Sequence, residues 1–224
     1  MILIIGASGG IGKFLFEKYK SIDSQVIGTY NSSSSNVVEL SKVDVTNFDQ
    51  VFNWIETNKT SLNNITLINC AGISYNSFAH KSDPEKWKKV IEVNLIGSFN
   101  TIRVVLPIMR EQNFGRIINF SSVVASKGTA GTSAYSASKS ALWGMAKSLA
   151  QENASKNITI NNINLGYSEL GMIEQVPEAF LNTLIQQIPA KKLCDSTDIF
   201  RTVEYLRECN YTNGSSIDIN GGLI

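Results

Sequence analysis

The sequence predicts an α/β fold: a doubly wound parallel sheet of about seven strands, with helices on both faces, in a single domain spanning residues 1–224. Short apolar runs alternate with amphipathic stretches along the whole chain, and neither an internal repeat nor a linker interrupts them. The first apolar run, Ile2-Leu3-Ile4-Ile5, passes directly into Gly6-Ala7-Ser8-Gly9-Gly10-Ile11-Gly12 and then an amphipathic segment, Lys13 to Ser21, which reads as strand, tight turn and helix. With 224 residues, 43% hydrophobic and 17% charged, the chain is large enough for one sizeable core.

Glycines at the first turn let the backbone approach a pyrophosphate closely, and the following helix N-terminus offers it free amides and partial positive charge. The spacing is G-x-x-x-G-x-G, and such a turn also serves as plain strand-to-helix punctuation. A second strand, Gln25 to Tyr30, ends in Asn31-Ser32-Ser33-Ser34-Ser35, where an acidic residue would bond a ribose 2′-hydroxyl. Asn31 and Ser32 with the serines leave room and donors for a 2′-phosphate; a flexible loop has the same composition. A third strand is expected over roughly Val37 to Val45, running into Asp44-Val45-Thr46. There Asp44 is placed to accept from an adenine amino group, or Thr46 to cap a helix starting near Asn47.

The fourth strand, Ile65 to Ile68, carries Asn69-Cys70-Ala71-Gly72 at its carboxyl end, where ligands sit in open α/β sheets. Asp83-Pro84 starts a helix whose pattern runs through Trp87, Val90, Ile91 and Leu95 and contains Asn94. Asparagine is a poor helix former, so Asn94 lies either on a solvated face or partly buried with its amide bonded. A further helix reaches about Gln112, with Pro107 expected to kink it or mark its last turn. Gly115 to Phe120 is a fifth strand, Ala134 onward a long helix, and Ile158 to Leu165 a sixth strand. Residues 166–190, with a short helix over Pro177 to Ile188, read as a lid. A helix over Asp195 to Cys209 and a last strand, Ser215 to Ile219, complete the chain.

Composition excludes several classes. Twenty basic against 19 acidic residues give +1 with no basic cluster, so a nucleic-acid footprint is missing. Cys70, Cys194 and Cys209 lack C-x-x-C spacing, which fits reduced thiols in a cytoplasm. His80 is the only histidine, so neither a histidine triad nor a metal site is expected. The opening residues lack the pattern of a signal peptide, and no run approaches the roughly 20 apolar residues of a membrane span.

The chemistry concentrates between Ser121 and Lys139. In a helix from Ala134 to Glu152, Tyr135 and Lys139 lie four apart on one face. The ammonium is expected to favour the phenolate and lower the tyrosine pKa, which suits a general acid/base, and Ser122 at the strand mouth would steer a substrate oxygen. Tyrosine and lysine at this spacing also meet by chance, so the pair gains meaning only from its company.

Taken in order, Gly6/Gly10/Gly12, Asp44, Asn69-Cys70-Ala71-Gly72, Asn94, Ser122, Tyr135 and Lys139 resemble the classical short-chain dehydrogenase/reductase family over essentially the whole chain. The ending, Tyr211 to Gly222, is similar to its 3-oxoacyl-[acyl-carrier-protein] reductase branch. The resemblance implies a single Rossmann domain and a cytoplasmic oxidoreductase. NADP(H) is the favoured cofactor, with NAD(H) as the alternative. Gly6, Ser8, Gly10, Ile11 and Gly12 would hold the pyrophosphate, Asn31 and Ser32 the 2′-phosphate, and Asp44 and Val45 the adenine. Asn69, Ala71, Gly72 and Gly166 would line the ribose and nicotinamide. Tyr135 would give a proton to a carbonyl oxygen and Ser122 would polarise that carbonyl. Lys139 would bond the ribose hydroxyls and depress the tyrosine pKa, while Asn94 would hold a relay water. The implied substrate is an acyl-thioester or other small carbonyl, and the implied assembly a homodimer or homotetramer. The face of Leu142, Met145 and Leu149 serves either that assembly or packing within the chain.

The sequence departs from the family pattern in four places. Cys70 stands where the family has asparagine, and Gly9 where NADP-using members are often basic. Leu165 replaces a proline, and Leu170 a threonine that contacts the nicotinamide amide. A nucleotide-binding regulatory or scaffold protein on the same fold is the alternative that these last two changes raise.

Overall fold

The computed structural model describes residues 1–32, 39–171, 173 and 177–223. The strands are β1 (Ile2–Ile5), β2 (Val26–Tyr30), β3 (Leu40–Lys42), β4 (Thr66–Asn69), β5 (Gly115–Ser122), β6 (Ile158–Leu165) and β7 (Ser216–Ile219). They form one sheet, in the order β3-β2-β1-β4-β5-β6-β7, and every pairing is parallel. The chain runs outward from β1 to β3 and then returns to β4. Between β1 and β4 the winding therefore reverses, opening a crevice at the carboxyl ends of both strands.

The helices are α1 (Gly10–Ser21), α2 (Phe48–Asn58), α3 (Pro84–Ile91), α4 (Gly97–Gln112), α5 (Val124–Lys127), α6 (Ser133–Asn153), α7 (Glu178–Gln187) and α8 (Ser196–Glu208). On one face Val51, Trp54, Ile102, Val105, Met109, Ala146 and Leu149, from α2, α4 and α6, close a core over the strands. On the other, Leu15, Phe16 and Tyr19 of α1 meet Ile199, Val203 and Leu206 of α8. Buried on both sides, β1 and β4 have no exposed position, which is why β1 reads as an unbroken apolar run and β4 shows no alternation.

Several expectations change. β3 is shorter than Val37 to Val45; Val37 and Val38 lie outside the described residues. It ends because Asp44 Oδ1 accepts from both the amide and the hydroxyl of Thr46, turning the chain out of the sheet. Asn47, not Thr46, caps α2, its side chain accepting from Gln50 N. α4 continues past Pro107 to Gln112, so the proline does not mark a last turn. Leu142 and Leu149 are 1% and 8% exposed, so that face of α6 packs within the chain. The helical stretch 84–112 is, by length and composition, apolar enough to cross a membrane, but half of its apolar window is buried inside this fold.

The segment that follows β6 has a defined neck. Ser168 and Cys194 form a β-bridge, Cys194 N donates to Tyr167 O, and Glu169 N donates to Cys194 O. Leu184 of α7 packs on a small cluster of Val123, Ile188 and Leu223, just beyond Ser122. Leu165, where the family has proline, extends the sheet: the β5–β6 register reaches Ser122 opposite Leu165, whose carbonyl accepts from Val123 N.

Candidate active site

The glycine turn is built from main chain. Gly6 has φ +81°, and a Cβ there would meet the backbone of Ala71, at the end of β4, at 2.8 Å. Only glycine combines that left-handed conformation with so close an approach. A Cβ on Gly12 would lie 2.2 Å from Gly6 O, so α1 packs directly on the turn. Thr29 of β2 supports it from beneath, its Oγ1 accepting from Gly6 N and its carbonyl from Ala7 N. Gly9 caps α1 without a side-chain bond, and the first turn carries no acid, which suits an anion at this helix start. Gly171 sits on this turn, 2.6 Å from where a Gly10 Cβ would be.

The second row of cofactor candidates lies along the same crevice. Asn31 and Ser32 are exposed just beyond β2, while Ser33 to Ser35 lie outside the described residues. Burial pushes the Asp44 carboxyl up, but the two bonds from Thr46 and the Lys89 charge outweigh it and hold the pKa below the usual value. Val45 is buried, and its carbonyl accepts from Asn100. Ala71 and Gly72 border the turn, whereas the Asn69 side chain does not face the crevice. Its Nδ2 donates to Asn119 Oδ1 on the neighbouring strand and its Oδ1 accepts from Thr101 of α4, both buried. Gly166 is held by a bond to Ile219 O, against Asn220.

Tyr135, Lys139, Ser122 and Asn94 converge at the carboxyl ends of β4 and β5. The Ser122 hydroxyl draws the Tyr135 pKa down, but burial is the larger effect and leaves it raised to about 12. The expected depression by Lys139 does not occur. The ammonium lies over the ring, 5.6 Å from its centroid, and donates to Phe120 O. Burial lowers the Lys139 pKa to about 8, and no carboxylate among the described residues pairs with it. Burial likewise pushes the neighbouring Cys70 thiol up to about 12, so it is a neutral spacer there.

Asn94 is fully buried and lies in a π-helical turn, Glu92–Ile96, between α3 and α4. Such bulges recur at functional sites because they re-aim one side chain. Its Oδ1 accepts from Ile73 N, and its Nδ2 donates to Ile73 O and to Ser138 Oγ. Both amide protons are thus committed to protein, and Oδ1 keeps one lone pair for a further donor. Asn94 ties the segment after Gly72 to α6, and Ser138 passes the link to Tyr135 O.

Thr29, Ile73 and Ser138 were not singled out from the sequence. Ser138 adjoins Lys139 and was within reach of the motif; Thr29 and Ile73 act through backbone contacts 23 and 21 residues away.

Comparison with known proteins agrees with this geometry. The family described as short chain dehydrogenase matches residues 1–179. The chain is 36% identical over 232 aligned positions to an acetoacetyl-CoA reductase of Shinella zoogloeoides, covering 98% of this chain and 96% of that protein. It is 33% identical over 238 positions to the 3-oxoacyl-[acyl-carrier-protein] reductase FabG of Thermotoga maritima, covering 99% and 96%. With a match over most of its length and a site assembled at the switch point of its sheet, the chain belongs to the short chain dehydrogenase family.

Proposed function

We propose that this protein is an NADPH-dependent reductase of 3-oxoacyl thioesters, with Tyr135 as the proton donor. The observation that carries the reading is the meeting of three groups near the glycine turn: a phenol held protonated at neutral pH, the Ser122 hydroxyl acting on it, and a buried lysine that no carboxylate among the described residues pairs with. The names of the similar acetoacetyl-CoA and 3-oxoacyl-[acyl-carrier-protein] reductases supply the substrate class.

The residues fit a nicotinamide dinucleotide. The cradle at Gly6 and Gly12 has no room for a Cβ, the start of α1, without a side-chain cap, suits a pyrophosphate, and Asp44 suits an adenine amino group. Asn31 and Ser32 would hold a 2′-phosphate, and Lys139, Ala71, Gly72 and Gly166 the nicotinamide end. When bound, the cofactor supplies hydride. Tyr135 then donates its phenolic proton to the carbonyl oxygen as negative charge develops there, and Ser122 donates a hydrogen bond to the same oxygen. Lys139, whose ammonium lies 5.6 Å from the Tyr135 ring centroid, would bond the ribose hydroxyls of the cofactor. Asn94 holds α6 at the distance this transfer needs.

The test follows NADPH and NADH oxidation in parallel with acetoacetyl-CoA and longer 3-oxoacyl thioesters. Turnover with NADPH is expected, and Tyr135→Phe is expected to lower kcat by about 10²- to 10⁴-fold. Full turnover by that variant would overturn the mechanism. Failure of the folded protein to bind either cofactor would overturn the function.

A further inference from the structure

One face of the sheet carries a second polar array, one residue row beyond Asn69, Asn119 and Asn162, that the proposed chemistry does not use. Ser121, Asn164 and Asp218 stand side by side on β5, β6 and β7. Over them lies the indole of Trp143, one turn of α6 beyond Lys139. Its single N–H is shared between Ser121 Oγ at 3.0 Å and Asn164 Oδ1 at 2.9 Å. Ser121 Oγ in turn donates to Lys139 O at 3.0 Å, and Asn164 Nδ2 donates to Asp218 Oδ1 at 3.0 Å. A continuous chain of bonds therefore runs from a carboxylate on the edge strand to the main chain of Lys139. Ser121 and Asn164 are 4% and 2% exposed, so water does not readily replace a lost partner.

We propose that Trp143 is a positioning residue, which fixes the register of α6 on β5 and β6 and so sets Tyr135 and Lys139 against Ser122. The apolar contacts of α6 are non-directional and tolerate small slides; beyond the bonds that Ser138 and Lys139 make near the start of the helix, the three-centre bond of Trp143 adds a directional tie to two strands. Tyr135 lies two turns before Trp143 along a stiff helix, so a shift at the indole is carried to the phenol. Proton transfer is sensitive to displacements of this size. The proposal rests on the reductase reading for its kinetic test, and on backbone geometry for its second test.

Trp143→Phe keeps the ring and removes the N–H. Expected is a loss of about tenfold in kcat, with KM for NADPH within about twofold of the parent. Ser121→Ala is expected to do the same, and the double variant to be no worse than the poorer single, because all three break one chain. A purely structural tryptophan would lower the melting temperature and leave kcat unchanged, and that result would overturn the proposal. If the parent turns over none of the thioesters, the reductase reading fails by itself. The positioning claim is then decided by amide hydrogen exchange of the full chain. Faster exchange in Trp143→Phe confined to residues 135–143, with α8 unchanged, supports it; unchanged exchange there overturns it.

Discussion

The two halves of the site are made of different material. Around β1 and α1 the binding surface is main chain: glycines at van der Waals limits and a helix start without a side-chain cap, resting on the apolar side chains of β1 and the Thr29 hydroxyl of β2. Around β4 to β7 it is side chain. Asn69, Asn119 and Asn162 bond one another across three strands, Asn162 Nδ2 reaches Ser216, and Ser121, Asn164 and Trp143 repeat the pattern one row beyond. A backbone cradle suits a ligand part that is always the same, such as a pyrophosphate. Proton transfer needs a few groups held at fixed separations, and a satisfied polar layer inside an apolar sandwich specifies position more sharply than apolar contact does.

The comparison can be broken from either side, and the largest effect is expected in the backbone half. Gly12→Ala drives a methyl into Gly6 O, which is main chain and cannot swing aside. A loss of about 3 kcal/mol in urea unfolding is expected, together with at least about tenfold weaker cofactor binding by fluorescence titration. An unchanged affinity would show that the turn is punctuation only.

In the side-chain half, Asn119→Ala strands Asn69 Nδ2 and Asn162 Oδ1 without partners in the buried sheet. About 2 kcal/mol of stability should be lost in the same assay, with cofactor affinity kept. Equal loss of affinity would mean that the two halves are not separable.

Lys139 gives a smaller effect with a definite sign. Its pKa is 10.5 unfolded and about 8 folded, so between these values the unfolded chain holds a proton that the folded chain has released. Stability of the cofactor-free protein therefore rises with pH from about 8. Cys70 opposes the rise above about 9, where its unfolded thiol ionises before the buried one. The clean window is pH 8 to 9. There the parent should gain about 1 kcal/mol relative to Lys139→Met, measured as the difference between the two proteins so that other thiols cancel. A flat difference would mean that the lysine is not desolvated.

Smallest in stability is Gly9→Arg. No atom lies within 4 Å of a Cβ there, so unfolding should shift by less than about 0.5 kcal/mol. Preference for NADPH over NADH should increase, because a guanidinium on the glycine turn would attract the added charge of a 2′-phosphate. A preference that does not move would remove the 2′-phosphate from this corner.

Much of this architecture was legible beforehand, for physical reasons that differ by element. Strand and helix alternation, the glycine turn, the Asp83-Pro84 start of α3 and the helical spacing of Tyr135 and Lys139 are local, since each depends on neighbours a few residues away. The length of β3 was misread because a side-chain turn at Asp44 competes with the sheet, and periodicity does not weigh that competition. What only the tertiary structure decided is the setting of the side chains. Burial rather than Lys139 governs the Tyr135 phenol, Asn94 is a clamp within a π-helical turn, and a row of asparagines crosses the sheet. These depend on desolvation and on partners from 21 to 54 residues away in sequence. No window of local sequence contains both members of such a pair, and the dielectric around a group exists only once the chain has closed over it.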